Sequence, residues 1–279
     1  VRPHLDDKIL TDWNGLMISS LAYAGRVLGN PDYVDYAEKA AGDILEKMYK
    51  NGQLFHRYRD REAGIEGMLD DYSFMSWAMT ELYEATFKTE YLKKAIYFQN
   101  NLDQYFWDDI NYGFFANSAT DNKLIARMKD IFDSAIPTGN SVALMNLHNL
   151  WKITGDRSFA EKASKMIKAF SAKVNETPSA FTHFLSAYLI NSDTAPEIVI
   201  AGKKDDEVTK EMIYLVNSSY LPNSVLVLKT PDNNISEIVH YSANMIDNDG
   251  KTSAYVCRNF SCQQPVEDVS SLRNLLGVE

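Results

Sequence analysis

An internal repeat over the first two thirds of the chain limits its possible folds more than any other feature. Three segments align on an aromatic anchor: Asn30-Pro31-Asp32-Tyr33, Lys88-Thr89-Glu90-Tyr91 and Asp156-Arg157-Ser158-Phe159. Four residues past each anchor stands an alanine: Ala37, Ala95 and Ala163. Units repeated in this way bury their apolar faces on one another. After the first anchor, Tyr33, Tyr36, Ala37, Ala40, Ala41, Ile44, Leu45 and Met48 keep the i, i+3, i+4, i+7 spacing of a one-sided helix. Phe159, Ala163, Met166, Ile167 and Phe170 repeat it more weakly. A second helix precedes each anchor. Trp13, Leu16, Met17, Ser20, Leu21, Ala24 and Val27 form one stripe, with Ile18 and Tyr23 apolar off it. Phe74 to Phe87 and Val142 to Ile153 are apolar on more than one side, as in helices buried between layers. Links as short as Gly29-Asn30 and Gly155-Asp156 make the pairs antiparallel hairpins. A helix over Ser179 to Ile190 opens a fourth hairpin that is not completed. The expected fold is mainly α, a partial (α/α)6 toroid of helical hairpins.

The pattern changes after Thr194-Ala195-Pro196. Glu197 to Ala201 reads as a buried strand, Asp205 to Tyr220 as a helix and Val225 to Leu228 as a second strand. A third strand is expected at Ser253 to Cys257 and a closing helix at Val269 to Leu276. The expected division is residues 1–194 for the helical hairpins and 195–279 for a small C-terminal α/β region. Two long segments interrupt the hairpins, Asn51 to Leu69 and Asp109 to Pro137, and loops of this length are often functional. Within the first, Gly52 to Tyr58 alternates as a short strand does.

The formal net charge of −10 repels a phosphate backbone, so a nucleic-acid partner is not expected. No apolar run approaches the ~20 residues that span a bilayer, and a membrane role is not expected either. The opening at Val1 falls inside a motif, which suggests a truncated or processed chain; two cysteines and no leader suggest the cytoplasm. Aromatic residues make up 12% of the chain, suited to filling gaps between helices and also to stacking on sugar rings.

Polar clusters stand where the inner helices should begin. Counting back from the anchors gives Asn14, Tyr72 and Asn140. Around them lie His4-Leu5-Asp6-Asp7-Lys8, Thr11-Asp12-Trp13-Asn14-Gly15, Leu69-Asp70-Asp71-Tyr72 and Pro137-Thr138-Gly139-Asn140-Ser141. Inner helices that run the same way bring their N-termini to one mouth, a usual place for a small ligand. Thr11, Asp70 and Thr138 also sit where N-caps belong. The candidate acid/base residues are Asp7, Asp70 and Asp71, because neighbouring carboxyls can split their pKa values. The candidate substrate-binding residues are His4, Asp6, Lys8, Trp13, Asn14, Tyr72, Asp133, Thr138 and Asn140. Epimerisation would call for a proton-shuttling base, for which His4, His56, His148 and His183 are available.

No metal site and no cofactor are expected. Cys257 and Cys262 have no second pair and only His240 nearby, so a four-ligand zinc site does not form, and buried thiols or an occasional disulfide remain. Gly202-Lys203-Lys204 lacks the spacing of either nucleotide-binding glycine motif.

Four stretches resemble a known family: Arg2 to Leu16 (RPHLDDKILTDWNGL), Leu69-Asp70-Asp71-Tyr72, Pro137 to Ser141 and Ala254 to Gln263 (AYVCRNFSCQ). They are similar, in order along the chain, to thioredoxin-domain proteins of the spermatogenesis-associated protein 20 type. The resemblance implies an (α/α)6 toroid akin to six-hairpin glycosidases and N-acylglucosamine 2-epimerases. It also implies an N-terminal thioredoxin-like domain that this chain lacks. A sugar or another small molecule is the ligand it suggests, handled by hydrolase-like or epimerase-like acid/base chemistry. The alternative is a non-catalytic interaction module that partners the thioredoxin-like domain.

Overall fold

The computed structural model describes residues 2–121, 125–192 and 195–278. A two-residue strand β1 (Ile9–Leu10) leads into helix α1 (Thr11–Leu28), which is followed by α2 (Pro31–Met48). Then come β2 (Tyr49–Lys50), β3 (Gln53–Arg59) and β4 (Glu62–Glu66), all antiparallel on β3 together with β1. The second hairpin is α3 (Leu69–Thr86) with α4 (Thr89–Tyr105), and the third is α5 (Gly139–Thr154) with α6 (Arg157–Glu176). Helix α7 (Thr182–Ser192) starts three residues later than the sequence spacing suggests, because Pro178–Ala180 forms a 3-10 turn first.

Helix α1 packs on α3, α3 on α5 and α5 on α7, while α2, α4 and α6 each cover the partner within their own hairpin. The inner row is apolar nearly all round because it is enclosed on both sides. Of the eighteen residues of α3, only Asp70, Trp77 and Ala85 are not buried. The repeat alanines Ala37, Ala95 and Ala163 are wholly buried. With so small a side chain the outer helix comes close enough for the Ser76 hydroxyl of α3 to donate to the Ala95 carbonyl of α4 at 3.0 Å. Gly15 serves the same end between α1 and α3, since a Cβ there would run into the backbone of Phe74.

The C-terminal region holds β5 (Glu197–Ala201), α8 (Glu207–Ser218), β6 (Val225–Lys229), β7 (Ser253–Arg258), β8 (Ser261–Cys262) and α9 (Val269–Leu276). The strand order is β6-β5-β7-β8, with β5 and β6 parallel and the other pairs antiparallel. Successive strand residues point to opposite faces. Ile198, Ile200, Leu226, Leu228, Ala254 and Val256 therefore pack under α8 and α9, while Val199, Val225, Val227 and Cys257 join the core of the helical array. The α/β region is thus a sheet laid against the toroid helices. The break placed at Thr194-Ala195-Pro196 begins on a residue outside those described, and the sheet shares one core with the helices that precede it.

Candidate functional site

The inner helices begin side by side, and carboxylates from one helix accept backbone N–H groups of the next. Asp71 lies in the first turn of α3 and is wholly buried. It accepts from Met68 N at 2.8 Å on its own helix and from Asp12 N at 3.1 Å on α1. Its neighbour Asp70 faces the other way and accepts from Gly139 N at the start of α5, at 2.9 Å. A side chain on residue 139 would collide with Asp70 and Leu69, so glycine is what admits this contact. Asp133 extends the series, taking Thr138 N before α5 and His183 N and Phe184 N in the first turn of α7. The adjacent acids at 70 and 71 thus divide, one to each flanking helix. Helix N-termini carry unpaired N–H groups and a positive dipole end, which is why uncompensated acids gather here.

The β3 strand adds His56 to this cluster. Its Nδ1 lies 3.0 Å from one Asp71 oxygen and 3.2 Å from the other. With Nδ1 held there, Nε2 is left without a hydrogen-bond partner among the described residues and reaches solvent. The hydrogen bond to Asp71 is the largest effect on His56 and raises its pKa above the ordinary 6.5, outweighing partial burial. Burial first, then the charge of Asp71, pushes the Asp70 carboxyl up to about 6, and the same two causes raise Asp12. Among the described residues, Asp12, His56 and Asp71 are a group whose potential ligand atoms all lie within 4.8 Å of one another. The sequence reading named no metal ligands. These three can face a cation, although Asp71 already holds two backbone N–H groups. The chemistry offered most directly here is proton transfer, by His56 with its raised pKa and by Asp70, pushed up to about 6.

The remaining candidates fall into two sets. Tyr72 is buried and accepts from Leu54 N, and Asn140 is buried with its amide clamped to Phe114 N, Phe114 O and Asp130 O. Thr138 caps α5 by accepting from Ser141 N. These three, with Asp71 and Asp133, hold backbone. Thr11 and Asp70 do not cap their own helices: the Thr11 hydroxyl donates to the Phe55 carbonyl, and α3 is capped by Asp71. Of the exposed set, Asp7 pairs with Arg59 of β3 and Asp6 with Lys8. His4 lies, exposed, in the same N-terminal stretch. Trp13 is 61% exposed, and the Asn14 amide donates to the Leu10 carbonyl.

Further along the inner helices lies a cavity of about 440 Å³, lined by Tyr23 and Arg26 of α1, Trp77 and Glu81 of α3, and Met145 and Asn149 of α5. Trp77 lies two turns beyond Asp70 on one face of α3, roughly 10 Å along its axis. At the floor Arg26 bridges Glu81 and Glu84, each at 3.1 Å. Glu84 also accepts from Leu226 N of β6, which ties the floor to the C-terminal sheet.

With this geometry in place, the chain compares with known proteins as follows. No family model matches it. It is 33% identical to human spermatogenesis-associated protein 20 and 32% identical to the rat protein, over 99% of its own length. The chain is of the spermatogenesis-associated protein 20 type. It spans little more than a third of these relatives, 37% of the human and 36% of the rat protein. Its fold is that of the sugar-enzyme toroids. A family 76 glycoside hydrolase (mannosidase) of Bacteroides thetaiotaomicron superposes with TM-score 0.52 at 16% identity, over 77% of this chain and 61% of that one. A cellobiose 2-epimerase of Bacillus thermoamylovorans superposes with TM-score 0.50 at 17% identity, over 62% and 47%. No helix among the described residues is long and apolar enough to cross a membrane.

In this member of the spermatogenesis-associated protein 20 type, sequence reasoning passed over two of the grouped residues. His56 stood only as one of several available histidines, and Asp12 only as a neighbour of Asn14. Both come to Asp71 through the pairing of β1 with β3, Ile9 opposite Tyr58 and Leu10 opposite Arg57. The alternation over Gly52 to Tyr58 signalled the strand, but nothing local signalled its register.

Proposed function

We propose that the mouth of the inner helices binds a carbohydrate and transfers protons to it, with Asp70 and His56 as the acid/base pair. The observation that carries this reading is the Asp71–His56 contact beside Asp70. It sets a histidine whose pKa is raised beside an Asp70 carboxyl pushed up to about 6, in a toroid shared with sugar enzymes. Asp71 orients the imidazole, as a buried acid does in other acid/base pairs. Trp77 lines the cavity two turns along α3 from Asp70, and an aromatic ring stacks well on the apolar face of a sugar. Asp7, tied to Arg59 on the rim, takes no part in this scheme. Epimerisation and glycoside hydrolysis both need such a pair, and substrate identity follows from the groove rather than from the pair.

The test is a thermal-shift panel of mono- and disaccharides, followed by NMR of any sugar that binds. The expected result is a stabilising shift in the unaltered protein and in Asp7→Asn, reduced in Trp77→Ala. Asp70→Asn and His56→Gln are expected to bind the sugar and lose turnover by about 10²–10⁴-fold. Absence of any sugar-dependent shift in the unaltered protein removes the proposal. A second reading, an interaction module for a thioredoxin-like domain, is supported by Trp13, Met17 and Tyr23, which are more than half exposed along α1. Retention of a separately produced thioredoxin-like domain, lost in a Trp13→Ser, Met17→Ser variant, would favour it.

A further inference from the structure

The two cysteines of the chain meet on the sheet edge farthest from the parallel pair. Cys257 of β7 stands directly opposite Cys262 of β8 in the antiparallel register, and the two form a disulfide. The pair is asymmetric. Cys257 is wholly buried on the face that joins the toroid core, whereas Cys262 is exposed on an edge strand only two residues long. No other cysteine exists in the chain, so any thiol that attacks this bond comes from another molecule or from a segment beyond this sequence.

The turn enclosed by the disulfide is itself unusual. Asn259 and Phe260 have φ of 51° and 60°, the left-handed conformation that a two-residue hairpin of this kind requires and that a phenylalanine rarely adopts. Phe260 is held by contacts beyond the hairpin. Its N–H donates to the buried Glu197 of β5 at 3.1 Å, and its ring packs against Tyr241 at 5.1 Å and Trp151 of α5 at 5.7 Å. The Phe260 and Tyr241 rings, with Gly155 and Asp156 at the end of α5, wall a cavity of about 800 Å³ between the helices and the C-terminal region. The disulfide therefore closes one of the turns that tie the sheet to the helical array.

We propose that Cys257–Cys262 is a thiol–disulfide exchange site that takes a dithiol as reductant through the exposed Cys262 sulfur, and that its opening loosens the Phe260 turn from α5. The partner thiolate attacks Cys262 Sγ and forms a mixed disulfide. The original S–S bond breaks, and Cys257 Sγ leaves with the electron pair and takes up a proton. The second thiolate of the partner then attacks its own mixed-disulfide sulfur and releases Cys262, which is protonated in turn. Two electrons pass from the dithiol to the cystine, and the partner leaves as a disulfide. The direction of attack follows from access, because Cys262 is an exposed residue and Cys257 is wholly buried.

The test uses the folded, oxidised chain without denaturant. Reduced glutathione, a monothiol with no second thiol in the same molecule to resolve the adduct, is added briefly and quenched with an alkylating agent, and the adduct is located by peptide mass spectrometry. The expected result is glutathione on Cys262 and alkylation on Cys257. Dithiothreitol in place of glutathione is expected to yield two alkylated thiols while the protein stays folded, with a change in tryptophan emission that is absent in Trp151→Phe. A Cys257→Ala, Cys262→Ala variant is expected to show the reduced emission from the start. Glutathione on Cys257, thiols that appear only when the protein is unfolded, or emission indifferent to reduction would overturn the proposal.

Discussion

At their N-terminal ends the inner helices hold Asp70, Asp71 and Asp133 against backbone N–H groups, whereas at their C-terminal ends Glu81 and Glu84 are held by the one guanidinium of Arg26. Asp71 at one end and Glu81 and Glu84 at the other are all buried, and they are compensated differently. At the mouth the unpaired N–H groups of several helices share the negative charge, so no arginine or lysine is needed beside Asp70 or Asp71, and part of the cost of burial is left as raised pKa values. At the floor the N–H groups are used up within the helices, and α1 and α5 close on glycines with positive φ, Gly29 and Gly155. A full cation is required there. At the mouth the Asp70 carboxyl is pushed up to about 6, which suits proton transfer. At the floor burial also raises the pKa of Glu84, against the charge of Arg26, and its carboxyl attaches the sheet through Leu226.

Removal of the floor cation should have the largest effect. Arg26→Met leaves two buried carboxylates unpaired, and a loss of about 3–5 kcal/mol in urea unfolding is expected. A loss near zero would mean that the floor does not depend on the arginine. At the mouth, Asp71→Ala strands Met68 N, Asp12 N and His56 together, for an expected loss of roughly 3 kcal/mol by the same measurement. Asp71→Asn should lose less, since an amide oxygen still accepts one of them.

A smaller effect, on the order of 2 kcal/mol, separates the two ends by pH. Asp70 has a folded pKa near 6 against an ordinary value of 3.8. The stability this group confers is full below pH 3.8 and is lost as pH rises through 6. Asp70→Asn should remove that slope, so the difference between variant and parent grows between pH 4 and pH 7. A constant difference across that window would place Asp70 among the ordinary carboxylates. His56 has the same sign in a higher window: its contribution is full below 6.5 and is lost as pH rises above that value. The smallest expected change is the loss of one cap, about 1 kcal/mol for Thr138→Ala.

Much of the architecture was legible because it is periodic. The aromatic anchor with alanine four residues on marks each outer helix, and the apolar run before it marks each inner helix, so three hairpins and the lone α7 could be read directly. The strands at 197–201, 225–229 and 253–258 were legible as short apolar runs bounded by turns. The candidate site was legible only as a place. Asp70, Asp71, Thr138 and Asn140 do gather where α3 and α5 begin, yet Asn140 clamps a loop, Thr138 caps a helix and Asp71 braces His56. Residue type does not distinguish a carboxylate that faces a cavity from one that accepts an N–H of the next helix, because both require an acid in a first turn.

By itself, the amino-acid sequence determined the helical repeat, the change to strands near residue 195 and the helix starts at which acids collect. These follow from spacing along one chain, which turns residue order directly into a face or an end. Only the tertiary structure decided that Asp70 and Asp71 serve opposite neighbours, that β3 delivers His56 to Asp71, and that Cys262 is open while Cys257 is not. Each depends on register between segments far apart in sequence, and register is set by how whole faces pack, not by the residues that finally meet.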